Sequence, residues 1–329
     1  MKILCTLGPS TLNKKFLSFA EGKISLLRLN MSHIEIGRLT NIILFLKKNS
    51  RIPICLDTEG AQIRTKVKKS VYYKINKKFK IQSKHGNFKL YPDEIFEKLK
   101  VKDELDVGFK NLKVKILKVK KNYILLKTIS EGLLENNKGV HLQNRAIKLN
   151  YLTKKDFKAI KIAKKFKIKN FALSFTNSVE DMKKFNFILK GKNLIYKIET
   201  KRATKNIKKI IKNGDQFIID RGDLSKETTI ENVPLVQRQI FKISKKYKGK
   251  KIYVATNLLE SMIVNKYPSR GEANDIFNSL EMGASGLVLA AETAIGKFPN
   301  ETIIFLMRMI KTFKKYNISK KHNALNKYF

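Results

Sequence analysis

The sequence has no tryptophan, only two cysteines, and no apolar run close to the roughly 20 residues a membrane-spanning helix needs. Its longest apolar stretches, 286–291 and 303–307, are too short to span, so no membrane partner is expected. The opening residues, MKILCTLGPS, hold no long apolar region and no small-residue cleavage site, which argues against a secretory leader. Cys5 and Cys55 both lie inside apolar runs. Buried, reduced thiols in a cytoplasmic protein are expected rather than a disulfide. Acidic residues are scarce too: 27 Asp and Glu stand against 70 Lys and Arg, a formal net charge of +43. Such an excess raises the question of a nucleic-acid partner. The basic residues, however, are nearly all lysine, spread in pairs over the helical stretches, with no RNA-binding motif among them. We read a solvated, lysine-rich surface that draws anionic ligands toward a cleft, and nucleic acid is not expected as the main partner.

What is present suffices for a large core: 43% of the 329 residues are hydrophobic, enough for one large domain or a large and a small one. Short aliphatic runs at 3–7, 24–30, 52–58, 170–175, 194–199, 216–220, 251–256 and 286–291 read as strands. Amphipathic periodicity predicts helices over 34–48, 154–166, 179–189, 203–212, 235–246, 271–282 and 301–314. Thr153 and Ser178 stand where N-caps for two of them belong. Eight nearly all-apolar strands alternating with helices predict an α/β fold, a closed parallel (β/α)8 barrel. An open doubly wound sheet is the competing architecture. Residues 66–147 break the alternation, with short strands at 71–75, 113–119 and 123–128 and one short helical stretch at 93–100. They read as a small β-rich domain inserted after the third strand, a candidate lid. The expected division is therefore a barrel over 1–65 and 148–315, an insert over 66–147, and a basic tail over 316–329.

Several polar strings follow directly on apolar runs: R-L-N-M-S-H at 28–33, D-T-E-G-A-Q-I-R-T at 57–65, K-I-E at 197–199, R-G-D at 221–223 and A-T-N-L-L-E-S-M at 255–262. Residues at the carboxyl ends of barrel strands converge on one mouth. Charges of both signs there point to a site for a phosphate and a divalent metal. Glu199 and Asp223 lie at or just after the ends of consecutive strands, and two carboxylates completed by water and a substrate phosphate suit Mg²⁺. Lys197 shares a strand face with Glu199 and brings a mobile cation to the same ligand. Taken alone, K-I-E reads better as a surface loop acid with a neighbouring lysine. Arg28 and Asn30 share a face of the second strand, and an arginine can hold a phosphate by two parallel hydrogen bonds. Asn30, Ser32, Asp57 and Thr58 offer neutral oxygens and one carboxylate, a set suited to a monovalent cation. His33 follows as a possible cap of the next helix, and Arg64 is placed to reach a second anion. The segment Gly222, Asp223 and Leu224 offers backbone N–H groups to a substrate carboxylate. Thr256 ends the seventh strand, where its hydroxyl can pass a proton.

These strings, read in order, resemble the pyruvate kinase family. They are joined by C-T-L-G-P at 5–9, K-G-V-H-L at 138–142, P-S-R-G-E at 268–272 and A-E-T-A-I-G-K-F-P at 291–299. The likeness extends from Met1 to about Lys311. It implies the barrel with its β-rich lid, and a phosphotransferase that moves a phosphoryl group from phosphoenolpyruvate to ADP. It implies that Arg28 and Lys197 bind the transferring group, with Lys197 also stabilising the enolate. Glu199 and Asp223 would hold Mg²⁺ or Mn²⁺, and Asn30, Ser32, Asp57 and Thr58 would hold K⁺. Asn30, His33, Arg64 and Lys138 would contact the nucleotide, ADP or ATP, and Gly222, Asp223 and Thr256 would meet the substrate, with Thr256 assisting protonation of enolpyruvate.

The sequence also departs from the family pattern. Glu59, Gly60, Ala61 and Gln62 stand where the family commonly has K-G-P-E or K-G-P-K, which leaves K⁺ dependence open. Asp220 stands where the family has alanine, adding a carboxylate near the metal. Asn257 replaces glutamine, Ala290 and Ala291 replace serine and glycine, Thr200 replaces asparagine, and His141 replaces asparagine. Family members usually continue into a further α/β domain, whereas this sequence ends at Phe329 just after the last barrel helix. Regulation through that domain is thus not expected, and a homodimer through barrel surfaces is expected over a tetramer. Two rival readings stand beside the kinase: a divergent paralogue acting on another enol phosphate or keto acid, and a barrel that binds without turnover.

Overall fold

The computed structural model describes residues 1–83, 86–108, 111–145 and 147–321, with side chains through 318. Contacts divide the chain into two compact units, 1–59 with 154–329, and 60–153.

The first unit is a closed barrel of eight strands: β1 Lys2–Thr6, β2 Leu26–Asn30, β3 Ile54–Asp57, β4 Asn170–Leu173, β5 Asn193–Ile198, β6 Gln216–Asp220, β7 Lys251–Ala255 and β8 Gly286–Leu289. Each strand pairs in parallel with its neighbours in sequence, and β8 closes on β1 through Ile3 opposite Leu287. All eight expected strands are present. Strand alternation sends every second side chain inward. Leu4, Leu26, Cys55, Ala172, Ile195, Ile218, Tyr253 and Val288, one from each strand, pack into one apolar layer. Both thiols are free and buried, and burial pushes the Cys5 pKa up to about 12.

Helices follow the strands, with two differences from expectation. The stretch 203–212 is two helices, Lys201–Lys205 and Ile207–Asn213, parted at Asn206, whose side chain donates to Asn177 O. Three further helices, Lys14–Ala20, Arg221–Thr228 and Ala291–Ala294, are too short for periodicity to reveal. Ser178 caps Val179–Ile188 by accepting from Asp181 N at 3.2 Å. No helix among the described residues is long and apolar enough to cross a membrane.

The second unit is an antiparallel sheet of seven strands, Ile63–Val67, Lys78–Gln82, Phe88–Tyr91, Glu104–Val107, Leu112–Val119, Tyr123–Ser130 and Gly139–Leu142, plus a paired Val71–Tyr73 and Gly132–Leu134. Ile81, Ile95, Leu112, Val114, Ile124 and Leu126 form the centre of its own core. This unit reaches beyond 66–147 because Ile63–Val67 pairs with Phe88–Tyr91 and with Gly139–Leu142. The helix Pro299–Lys321 runs through the start of the expected tail, and 322–329 lie outside the described residues.

Candidate active site

One step beyond the apolar layer the barrel interior turns ionic. Arg28, Asp57, Ser174, Lys197 and Asp220 each lie two positions after a member of that layer, so the same alternation points them inward at the carboxyl ends of the strands. All five are buried. Arg28 grips Asp57 Oδ2 from Nη2 at 2.5 Å and Nε at 2.7 Å, and its Nη1 donates to Thr6 Oγ1. Lys197 Nζ lies 2.8 Å from Glu199 Oε1, 3.2 Å from Asp220 Oδ2 and 3.4 Å from Asp57 Oδ2. It also donates to Ser174 Oγ, which in turn donates to Asp57 Oδ1. Glu199, expected to stand in the mouth, is fully buried, and its Oε2 accepts Phe175 N–H at 2.5 Å. The reading of K-I-E as a surface loop is thereby excluded.

The cluster sets its own protonation. Burial opposes the Lys197 ammonium, but Asp57, Glu199 and Asp220 outweigh it and hold its pKa above the ordinary lysine value. Lys197 is therefore a fixed cation at neutral pH and not a base. Burial, with the charges of Asp220 and Asp223, pushes Glu199 up to about 8. Lys197 and Arg28 hold Asp220 below the usual carboxylate range against its own burial. Four acidic side chains, Asp57, Glu199, Asp220 and Asp223, share the site with two basic ones, Arg28 and Lys197.

That imbalance fits a divalent cation. Glu199, Asp220 and Asp223 each offer a carboxylate oxygen, and these oxygens lie within 4.8 Å of one another. Asp220 Oδ1 is buried and accepts no hydrogen bond. An all-carboxylate donor set selects a hard ion. The R-G-D string opens the helix Arg221–Thr228, with Asp220 as its cap residue.

Thr256 follows β7 with φ +66°, and Asn257 continues at +53°, two left-handed residues in succession. Arg221, which sequence reasoning left without a role, holds this turn. Its Nε and Nη2 donate to Thr256 O at 3.1 and 2.6 Å, while Nη1 forks onto Asp275 at 2.8 and 2.7 Å. Thr256 Oγ1 accepts Gly222 N–H at 2.8 Å. The N–H of Gly222, expected to face a substrate carboxylate, is thus engaged by Thr256.

Among the residues expected to hold a monovalent ion, Asn30 Oδ1 accepts Ser32 N–H at 3.1 Å. Thr58 Oγ1 donates to Ala172 O and accepts Ser174 N–H. Asp57 is shared between Arg28, Lys197 and Ser174. His33 does not cap the next helix, which begins after Glu35. Lys155, also missed, donates to Met31 O at 2.5 Å and Glu59 Oε1 at 2.8 Å, tying the segment after β2 to the segment after β3. Arg64 and Lys138 belong to the inserted unit. Arg64 Nη1 donates to Asn137 O at 3.1 Å, and Lys138 Nζ lies 3.7 Å from Glu135.

Comparison with known proteins supplies independent evidence. A family model described as the pyruvate kinase barrel domain matches residues 1–303. The chain is 35% identical to a pyruvate kinase of Methanocaldococcus jannaschii, over 94% of this chain and 68% of that one. It is 33% identical to that of Buchnera aphidicola, over 100% and 73%, and 32% identical to that of Thermotoga maritima, over 95% and 71%. The matched span takes in all eight barrel strands and the whole ionic cluster at their carboxyl ends, and on that ground the chain belongs to the pyruvate kinase family.

Proposed function

We propose that the ionic mouth of the barrel performs the family's phosphoryl transfer, from phosphoenolpyruvate to ADP. The bond between phosphorus and the enol oxygen breaks, a bond from phosphorus to a terminal oxygen of ADP forms, and the enolate left behind takes a proton at carbon to become pyruvate. The observation that carries this reading is Lys197, a buried ammonium held within 3.4 Å of three carboxylates from β3, β5 and β6 or their ends.

Little covalent chemistry is required of the protein in such a transfer; positioning and charge neutralisation do most of the work. Lys197 and Arg28 would receive the phosphoryl oxygens, and Lys197 would also stabilise the enolate oxygen. Glu199 and Asp223 would hold the divalent ion the family depends on, Mg²⁺ or Mn²⁺, which when bound neutralises phosphate charge and acts as a Lewis acid. Asn30, Ser32, Asp57 and Thr58 would hold the monovalent ion, K⁺. Thr256, its hydroxyl held beside Gly222, would assist delivery of the proton to the enolate. Asn30, His33, Arg64 and Lys138 would contact the nucleotide. A dimer is the assembly we favour.

A second reading, a paralogue acting on another enol phosphate, draws on Asp220, whose charge enters the cluster. The test is paired assay of pyruvate and ATP from phosphoenolpyruvate and ADP with Mg²⁺, in KCl and in tetramethylammonium chloride. The proposal requires equimolar release of both products. The K⁺ arm alone should be fast if Asn30, Ser32, Asp57 and Thr58 hold K⁺. No ATP, from protein that binds Mg²⁺ and phosphoenolpyruvate, would favour the paralogue.

A further inference from the structure

The carboxylate at Asp220 is the feature that the reading above leaves without a task. Its position follows from the strand itself: Ile218 lies in the apolar interior layer, so Asp220, two residues on, points inward. The side chain is 4% exposed. One oxygen, Oδ2, meets Lys197 Nζ at 3.2 Å. The other, Oδ1, is buried without a hydrogen-bond donor. It opens toward Gly222 and Thr256: a Cβ placed on Gly222 would stand 3.7 Å from it and 3.6 Å from Thr256 Oγ1. A buried carboxylate oxygen without a donor is costly, so its natural partner is a cation. The distances among Glu199, Asp220 and Asp223 allow one ion to be shared by all three.

We propose that Asp220 is a third protein ligand of the divalent cation, so that this barrel loads its metal before substrate arrives. The proposal rests on the metal-site reading of Glu199 and Asp223. A site of two carboxylates leaves most of its coordination to water and substrate phosphate, and holds metal weakly until substrate is present. A third carboxylate raises the charge and ligand count of the empty site. Metal binding is then less dependent on phosphoenolpyruvate.

The experiment is titration of substrate-free protein with Mn²⁺ alone, followed by calorimetry and by the loss of free-ion paramagnetic signal. D220A and D220N are compared with E199Q, D223N and the exposed control D215N. The expected result is one site per chain, weakened about tenfold or more in D220A and D220N, the range typical for lost support of a metal centre. D215N should match the parent. Phosphoenolpyruvate should tighten Mn²⁺ binding more in the Asp220 variants than in the parent. D220N preserves shape, so thermal melts separate lost affinity from lost fold. Unchanged affinity in both Asp220 variants, with binding lost in E199Q and D223N, overturns the inference and leaves the metal-site reading standing. Unchanged affinity in all four overturns both.

Discussion

Thr256 can serve the reaction only if its left-handed backbone is held, and the holding group is Arg221. Two guanidinium nitrogens on Thr256 O and a fork on Asp275 make a planar brace that a lysine cannot reproduce. Arg221→Lys should therefore lower kcat by roughly ten- to a hundredfold, the scale of a small misplacement of a reacting group. KM for ADP should hold, and the solvent deuterium isotope effect on pyruvate release should rise as proton delivery slows. Parental kcat and isotope effect in that variant would remove Arg221 from this role. At this scale the sequence was partly legible. Lys197, Glu199 and Asp223 stand out because charge at the end of an apolar run is conspicuous. Ser174 and Lys155 do not: a small hydroxyl and one of 70 basic side chains carry no signal until β4 is laid beside β3 and β5.

Among the elements, the barrel strands were the plainest, because burial on both faces leaves an unbroken apolar run, as in Ile54–Asp57 and Gly286–Leu289. Among its described residues the insert hid six of nine strands. Lys78–Gln82 buries only Ile81 fully, and Gly139–Leu142 is too short to show a period. The helix Arg270–Met282 shows how a motif can be structural. Ser269 and Glu272 of P-S-R-G-E form a reciprocal capping box, and Glu272 also accepts from Ser261 N at 2.7 Å and Ser261 Oγ at 2.5 Å. Partial burial works against the Glu272 carboxylate, but these hydrogen bonds prevail and hold its pKa below the usual value. A lowered folded pKa gives stability that is present above the unfolded value, about 4.3, and lost as pH falls through the folded one. Glu272→Gln should destabilise the protein by about 1 kcal/mol at neutral pH. Denaturant melts should show the gap closing as pH falls below about 4. A gap that is constant with pH would contradict the assignment.

Across the whole molecule, a formal charge of +43 surrounds a mouth that gathers acidic side chains around Lys197. The lysines that make up most of the positive charge are mostly solvated, on strands, loops and helices alike, where they gather anions without fixing them. Lys197 is the exception: buried, paired with three carboxylates and charged at every physiological pH. The account stands or falls on that one cation, and the most direct test is paired pyruvate and ATP release by Lys197→Met beside the parent, with Mn²⁺ affinity measured on both. Removing the ammonium frees Glu199 and Asp220 oxygens, so Mn²⁺ should bind at least as tightly. Turnover should fall by roughly a thousandfold or more, as when a preorganised charge is taken from a transition state. Near-parental turnover in that variant would contradict the account.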